Sequence, residues 1–145
     1  MTEFYLGAWV ILIHDSPYMT LLWVFIGGGI GASLRFLTGQ AWSSVTINLF
    51  NKPFPIATFT CNLIGCLLIG VISGILLKNP QLESPVRPLL ITGLMGGYTT
   101  FSSFALELVK FQQGNDWLPL LGYAGLSLIL GIALCALGLS LTVNN

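Results

Sequence analysis

The stretch Gly93-Leu94-Met95-Gly96-Gly97-Tyr98-Thr99-Thr100 decides how the third apolar segment of this chain can cross a membrane. It places three glycines and two threonines in the middle of that segment. Glycine and β-branched threonine both weaken an α-helix. Non-helical backbone at membrane depth is tolerated only where it is buried in protein or lines a cavity. The stretch therefore has two interpretations: a functional break in a transmembrane helix, or an unbroken helix whose glycines pack closely against a neighbour.

The composition indicates that lipid is the solvent for most of the surface. Of 145 residues, 54% are hydrophobic and 7% are charged, whereas about 25% of the residues of a soluble domain are charged. The formal net charge is zero. This removes the electrostatic case for nucleic acid as a partner, because phosphate binding needs a basic face. We expect a multi-pass protein of the plasma or inner membrane.

Four apolar segments have about the length needed to cross a hydrocarbon core of roughly 30 Å as helices. We predict spans over residues 21–37, 55–77, 88–109 and 118–141 of an all-α membrane domain that covers residues 19–145.

Residues 1–18 form an N-terminal extension. Its apolar part, Phe4 to Ile13, is ten residues long and has no basic segment before it, so it is a poor signal peptide. An interfacial helix lying on the bilayer is the favoured interpretation, and a disordered tail is the alternative.

Lys and Arg are shared equally between the two sides of the predicted four-span topology. Lys78 and Arg87 fall on one side, Lys52 and Lys110 fall on the other, and Arg35 ends the first span. The chain thus lacks the bias that normally sets orientation. Copies inserted in opposite orientations could pair about a two-fold axis in the membrane plane. The alternative is that five positive charges are too few to decide the topology.

Polar side chains inside the spans are candidates for an ion path, since they are costly in lipid. Asn62 is the only amide in the second span, and Thr58 lies one turn before it on the same face. Tyr123 and Ser127 are four residues apart in the fourth span and also share a face. For Arg35, snorkelling to the interface is the alternative to a place in the ion path.

Phe101 and Phe104 follow the glycine- and threonine-rich stretch and project from one helix face. The edge of a phenyl ring is electropositive, so two edges with neutral N–H and O–H donors can stabilise a small anion without a full charge. Ordinary packing of two rings in a helix bundle is the alternative. No carboxylate lies deep in a predicted span, and Glu107, near the end of the third, is expected to reach the lipid headgroups.

Catalytic and metal-binding side-chain motifs are absent from the sequence. Cys61, Cys66 and Cys135 lie in apolar runs at a spacing that matches no zinc site, and His14 has no second ligand nearby. No nucleophile–base pair or phosphate-binding loop occurs. We do not expect an enzyme.

Three motifs resemble the Fluc (CrcB) family of fluoride channels, and the resemblance covers residues 23–139. They are Gly28–Arg35, Phe54–Thr58 with Asn62–Gly65, and Gly93–Phe104. The resemblance implies an antiparallel, dual-topology homodimer with two pores. Through these pores F⁻ leaves the cell passively, which lowers intracellular fluoride toxicity. The implied partners are fluoride, a second copy of the chain and membrane lipid.

The resemblance also implies site residues by motif position. One central structural Na⁺ is expected on main-chain carbonyls of Gly96 and Thr99 from both subunits. The implied pore residues, with Arg35 added as a candidate, are Asn62, Phe101, Phe104, Thr58, Tyr123, Ser127 and Arg35. Some members of the family carry a second hydroxyl one turn beyond the pore serine, where this chain has Gly131.

Two other functions are weighed against a fluoride channel. A small multidrug exporter needs a membrane-embedded glutamate in its first span, and residues 21–37 contain none. A non-transporting assembly subunit would explain the glycines as packing residues, but it leaves Asn62 and a broken third span without a purpose.

Overall fold

The structure, a computed structural model, describes residues 16–144. Nearly all of the predicted N-terminal extension lies outside these residues, so its interfacial helix stays a prediction. The described residues contain four helical spans that are long and apolar enough to cross a bilayer: Pro17–Trp42, Ile56–Lys78, Arg87–Gln113 and Trp117–Val143. The prediction of an all-α membrane protein with four spans is confirmed.

The elements follow one another in a simple order. They are α1 (Pro17–Trp42), β1 (Asn48–Leu49), β2 (Lys52–Pro53), α2 (Ile56–Lys78), a 3₁₀ turn (Pro80–Leu82), α3 (Glu83–Val86), a π-helical segment (Arg87–Met95), α4 (Gly96–Tyr98), α5 (Phe101–Gln113) and α6 (Trp117–Val143). Helix α1 starts at a proline, whose fixed φ suits the first helical position. It continues five residues past its predicted end at residue 37. The prediction followed apolar residues only, whereas polar residues at the lipid–water interface can also be helical.

A short hairpin replaces the first predicted loop. Its strands pair Asn48 with Pro53 and Leu49 with Lys52. Both turn residues, Phe50 and Asn51, have positive φ, at 53° and 63°, as a two-residue type I′ turn requires. The Phe50 ring packs on the first turns of α6, where a Cβ added at Gly122 would lie 2.9 Å from it. This packing holds the hairpin over one end of the bundle.

Glycines bring the helices into backbone contact in two pairs. A Cβ at Gly97 would lie 2.5 Å from the Gly28 carbonyl oxygen, and one at Gly27 would overlap the Leu89 carbonyl, so α1 packs directly on the third span. In the second pair, a Cβ at Gly138 of α6 would overlap the Leu67 carbonyl of α2. The packing interpretation of the glycines is confirmed, in keeping with small residues at helix interfaces in lipid.

The third span is also broken, but at a narrower place than its glycines indicate. Gly96–Tyr98 remains helical, and the chain becomes extended at Thr99 (φ −83°, ψ 158°) and Thr100 (φ −149°, ψ 116°). Helix α5 then starts at Phe101. The helix is therefore broken, as the first interpretation has it, and only the close packing of the glycines remains from the second.

Candidate functional site

One side chain from α2 bridges the break. The Nδ2 of Asn62 donates to the Thr100 carbonyl at 3.1 Å, and its Oδ1 accepts from the Thr100 N–H at 2.8 Å. Thr100 is buried, at 7% exposure, so both of these main-chain groups need partners. An amide nitrogen has two donors. Asn62 therefore holds the break and keeps one N–H for another acceptor.

The break releases two carbonyls from helical hydrogen bonding. In a continuous helix the N–H of Thr100 would bond to the Gly96 carbonyl, and that of Ser103 to the Thr99 carbonyl. Here the first donates to Asn62, and the second donates to Oγ1 of Thr100 at 3.2 Å. The structure thus releases from helical bonds the two carbonyls that the resemblance implies as cation ligands.

Arg35 turns towards the break. Its Nη1 donates to the Thr99 carbonyl at 3.2 Å. The snorkelling interpretation of Arg35 is therefore wrong, because the guanidinium contacts main chain within the bundle. A carbonyl oxygen has two lone pairs, so Thr99 retains one for another ligand.

The donor type at the break fits Na⁺. Carbonyls of unwound membrane helices are ligands of this kind. Within residues 16–144 no group of three or more His, Cys, Asp and Glu side chains could hold a metal. One chain offers Gly96 and Thr99, which is a partial set.

A cavity of about 390 Å³ lies beside the break. We call it the central cavity, and its polar and aromatic lining consists of Asn62, Thr99, Thr100, Phe101, Phe104 and Ser127. The Ser127 Oγ is buried and has no hydrogen-bond partner within the described residues. Leaving such a group unpaired costs about 1–3 kcal/mol. The hydroxyl is therefore a donor available to a ligand in the central cavity.

The two phenylalanines occupy different positions at this cavity. Their ring centroids are 5.9 Å apart with an interplanar angle of 48°. The ring of Phe104 also lies 5.1 Å from that of Tyr123, inside the bundle. Phe101, by contrast, is 80% exposed in the single chain. One ring packs within the chain and the other projects from it.

Glu107 is a functional candidate that sequence reasoning misplaced. Thr58 Oγ1 donates to its Oε1 and Tyr123 Oη to its Oε2, both at 2.6 Å. The expectation that Glu107 reaches the headgroups is therefore wrong, because its carboxylate turns inward. Its spacing was the available signal, since Glu107 lies three residues after Phe104 and thus on the same face of α5.

The contacts of Glu107 also revise the picture of the hydroxyl donors. Thr58 and Tyr123 each have a single O–H, and both donate it to the carboxylate. They are occupied donors, unlike Ser127. Glu107 does not favour the alternative of a small multidrug exporter, which needs a glutamate in the first span.

A second cavity, of about 290 Å³, lies beyond Glu107 at the end of the bundle. We call it the mouth, and it is lined by Lys52, Pro53, Pro55, Glu107, Lys110, Phe111 and Asp116. The Tyr123 ring lies 5.1 Å from Phe104 and 6.2 Å from Phe111. Aromatic and polar groups therefore lead from the central cavity to the mouth.

Gly131 has an unusual neighbour in this chain. A Cβ added there would lie 3.4 Å from the Sγ of Cys66, which also lines the central cavity. The thiol, a weak donor, thus stands next to the place where some members of the resembled family carry a hydroxyl.

Comparison with known proteins gives a consistent result. A family model described as CrcB-like protein, Camphor Resistance (CrcB), matches residues 22–139. A relative named fluoride-specific ion channel FluC from Azobacteroides pseudotrichonymphae is 41% identical over 119 residues, which are 82% of this chain and 92% of the relative. A relative of the same name from Pseudomonas fluorescens is 43% identical, over 84% of this chain and 95% of its own length. Another, from Chloroflexus aurantiacus, is 37% identical, over 83% of this chain and 93% of its own length.

Proposed function

This chain belongs to the CrcB-like family, and from that premise we propose that it is a fluoride-selective channel for passive F⁻ efflux across the cell membrane. Relatives about 40% identical over most of the chain are named as fluoride-specific ion channels, which are not enzymes. HF enters cells and dissociates inside, so a passive channel lowers intracellular fluoride without an energy source.

The observation that carries the proposal is the buried hydroxyl of Ser127, which has no hydrogen-bond partner among the described residues. It lines the central cavity together with Asn62 and Phe104, which supply an N–H and a ring. Neutral donors and electropositive ring edges compensate an anion for part of its lost hydration. A conducted ion must be bound well enough to enter and weakly enough to leave. A site without a full positive charge meets both requirements.

We assign the path beyond the rings to Tyr123, Thr58 and Glu107. The two hydroxyls donate to the carboxylate at rest. Rotation of either O–H away from Glu107 would present a donor to F⁻, and its return would release the ion. The carboxylate thus competes with the anion for the same hydrogen atoms, which keeps F⁻ from being held too tightly.

The functional unit in this proposal is an antiparallel homodimer with two pores and a central Na⁺. Two observations support it: Phe101 projects from the single chain, and the carbonyls of Gly96 and Thr99 are released from helical bonding. Two chains would supply four such carbonyls. Na⁺ would neutralise these oxygen dipoles and hold the two breaks together.

Anion efflux from liposomes tests the proposal. The purified protein is reconstituted with KF or KCl inside and a sodium salt of an impermeant anion outside, and release is followed with ion-selective electrodes after valinomycin is added. Rapid F⁻ release with negligible Cl⁻ release is expected. Release of neither anion would contradict a channel, and equal release of both would contradict fluoride selectivity.

A further inference from the structure

The mouth is where the chain concentrates charge near the proposed ion path. Two lysines and two carboxylates line it, namely Lys52, Lys110, Glu107 and Asp116. By contrast, no charged side chain of residues 16–144 lines the central cavity. Full charges therefore stand at the end of the bundle, outside the region where the proposed path relies on neutral donors.

The two lysines differ in their partners. Lys52 Nζ lies 3.0 Å from Oδ1 of Asp116, and these side chains are 46% and 21% exposed. The other ion pair within residues 16–144 joins Arg87 to Glu83, so Lys110 takes part in neither. Lys110 is thus the lysine of the mouth that has no carboxylate partner among the described residues.

Both members of the Lys52–Asp116 pair are positioned by local backbone structure. The type I′ turn of the hairpin places Lys52. On the other side, Asn115 has a positive φ of 57°, and its Oδ1 accepts from Trp117 Nε1 at 2.8 Å. The Asp116 N–H donates to the Phe111 carbonyl at 2.9 Å. Local backbone structure therefore positions both side chains of this ion pair in the mouth.

We infer that the mouth captures small inorganic anions electrostatically, that Lys110 supplies the attraction, and that Asp116 weakens it by masking Lys52. This rests on the proposed channel function, for which F⁻ is the anion. The lysines and carboxylates that line the mouth are equal in number, so the attraction is local to Lys110, the lysine without an ion pair among the described residues. A positive charge at a cleft raises the local concentration of an anion and its entry rate, and salt screens the effect. The balance between Lys110 and the masked Lys52 would set how fast ions enter at low ionic strength.

A thiol reporter tests the charge of the mouth independently of fluoride conduction. Pro53 is exposed and lines the mouth, so Pro53→Cys is labelled in detergent with an anionic and a cationic methanethiosulfonate. Reaction of the native cysteines, measured in the chain without the reporter, is subtracted. The ratio of anionic to cationic rates reports the local potential.

The test is made at about 10 mM salt, where the screening length is about 30 Å. Lys110→Gln should lower the ratio of anionic to cationic labelling rates by about twofold to fivefold, and Asp116→Asn should raise it by a similar factor. Both changes should fade near 1 M salt. Lys78→Gln is the matched control, because Lys78 ends α2 at the opposite end from the hairpin. An unchanged ratio in Lys110→Gln would overturn the inference.

Fluoride efflux then tests whether capture matters for conduction. At low ionic strength Lys110→Gln should slow initial F⁻ release and Asp116→Asn should speed it, and high salt should remove both differences. Slower release in Asp116→Asn at every salt concentration would show that the pair holds the shape of the mouth, which overturns the masking role. If the wild-type protein releases no F⁻, the channel proposal fails, while the thiol ratio still decides whether the mouth attracts anions.

Discussion

Asn62 and Thr100 lie 38 residues apart in sequence, yet the amide of the first bonds to both the N–H and the carbonyl of the second. One side chain from α2 therefore replaces the main-chain bonds that a continuous helix would have made at the break. The same contact leaves the Gly96 carbonyl without its helical donor. The form of the break and the availability of its oxygens are two results of a single interaction.

Asn62→Asp should abolish F⁻ flux while the dimer stays intact. The carboxylate still accepts from the Thr100 N–H, but it loses the N–H donor and adds a negative charge beside the central cavity. Loss of the bond to the Thr100 carbonyl should also lower stability by about 1–3 kcal/mol. Liposome efflux measures the flux, size-exclusion chromatography shows whether the dimer stays intact, and thermal unfolding measures the stability. Asn79→Asp is the control, because Asn79 follows the end of α2 and lines neither cavity, and unchanged flux in Asn62→Asp would refute the pore role of Asn62.

Phe101→Ile should stop F⁻ release without unfolding the chain. The ring is 80% exposed in the single chain, so few contacts within the chain are lost, whereas the electropositive ring edge is removed from the central cavity. Phe25→Ile is a matched control, since Phe25 is 77% exposed and lines neither cavity. Fluoride efflux is the measurement, and equal release from both variants would show that the Phe101 ring has no part in the path.

Tyr123→Phe should destabilise the protein by about 1.5–3 kcal/mol, the usual contribution of a hydrogen bond to a charged group. The buried Tyr123 hydroxyl is one of two donors to Glu107. Thermal unfolding in detergent measures the loss, with the exposed Tyr18→Phe as control. In the double variant with Glu107→Gln, the loss of unfolding free energy should differ by about 0.5–3 kcal/mol from the sum of the losses in the two single variants, since the two residues are in contact. Strict additivity would contradict the coupling.

Gly97→Ala should destabilise the bundle by about 1–3 kcal/mol or more. Its Cβ would stand 2.5 Å from the Gly28 carbonyl oxygen, so α1 and the third span would have to separate. Gly29→Ala is the matched control on α1, because no atom of the described residues lies within 4 Å of the added Cβ. In Gly29→Ala, the higher helix propensity of alanine should stabilise the folded protein by about 0.5–1 kcal/mol. Thermal unfolding of the two variants separates packing from propensity, and equal shifts would argue against backbone contact at Gly97.

Replacing Na⁺ by a bulky organic cation should slow or stop conduction. The carbonyls of Gly96 and Thr99 suit a small hard cation, and a large one has no room between helices in contact. Efflux assays with N-methylglucamine as the only non-permeant cation test this, together with the temperature of unfolding in each salt. Indifference of both readouts to the exchange would count against a cation at the break.

The sequence by itself determined the features that depend on local composition. Four apolar runs predict four spans, because length and hydrophobicity alone decide whether a helix can cross lipid. Small residues at 27, 31, 93 and 97 predict close helix contact, because only a missing side chain permits it. The break could be placed to within a few residues, since threonine and glycine both weaken helices.

Tertiary structure decided which polar groups meet. Thr58 and Glu107 are 49 residues apart and Arg35 and Thr99 are 64 apart, and no local pattern pairs them. Snorkelling of Arg35 and of Glu107 was reasonable for isolated helices, because a long charged side chain near a helix end can reach water. In the folded bundle, main-chain oxygens released by the break and hydroxyls on neighbouring helices offer those charges closer partners. A broken third helix was therefore one of two interpretations that its residues allowed, while the side chains that hold the break had to be found in the fold.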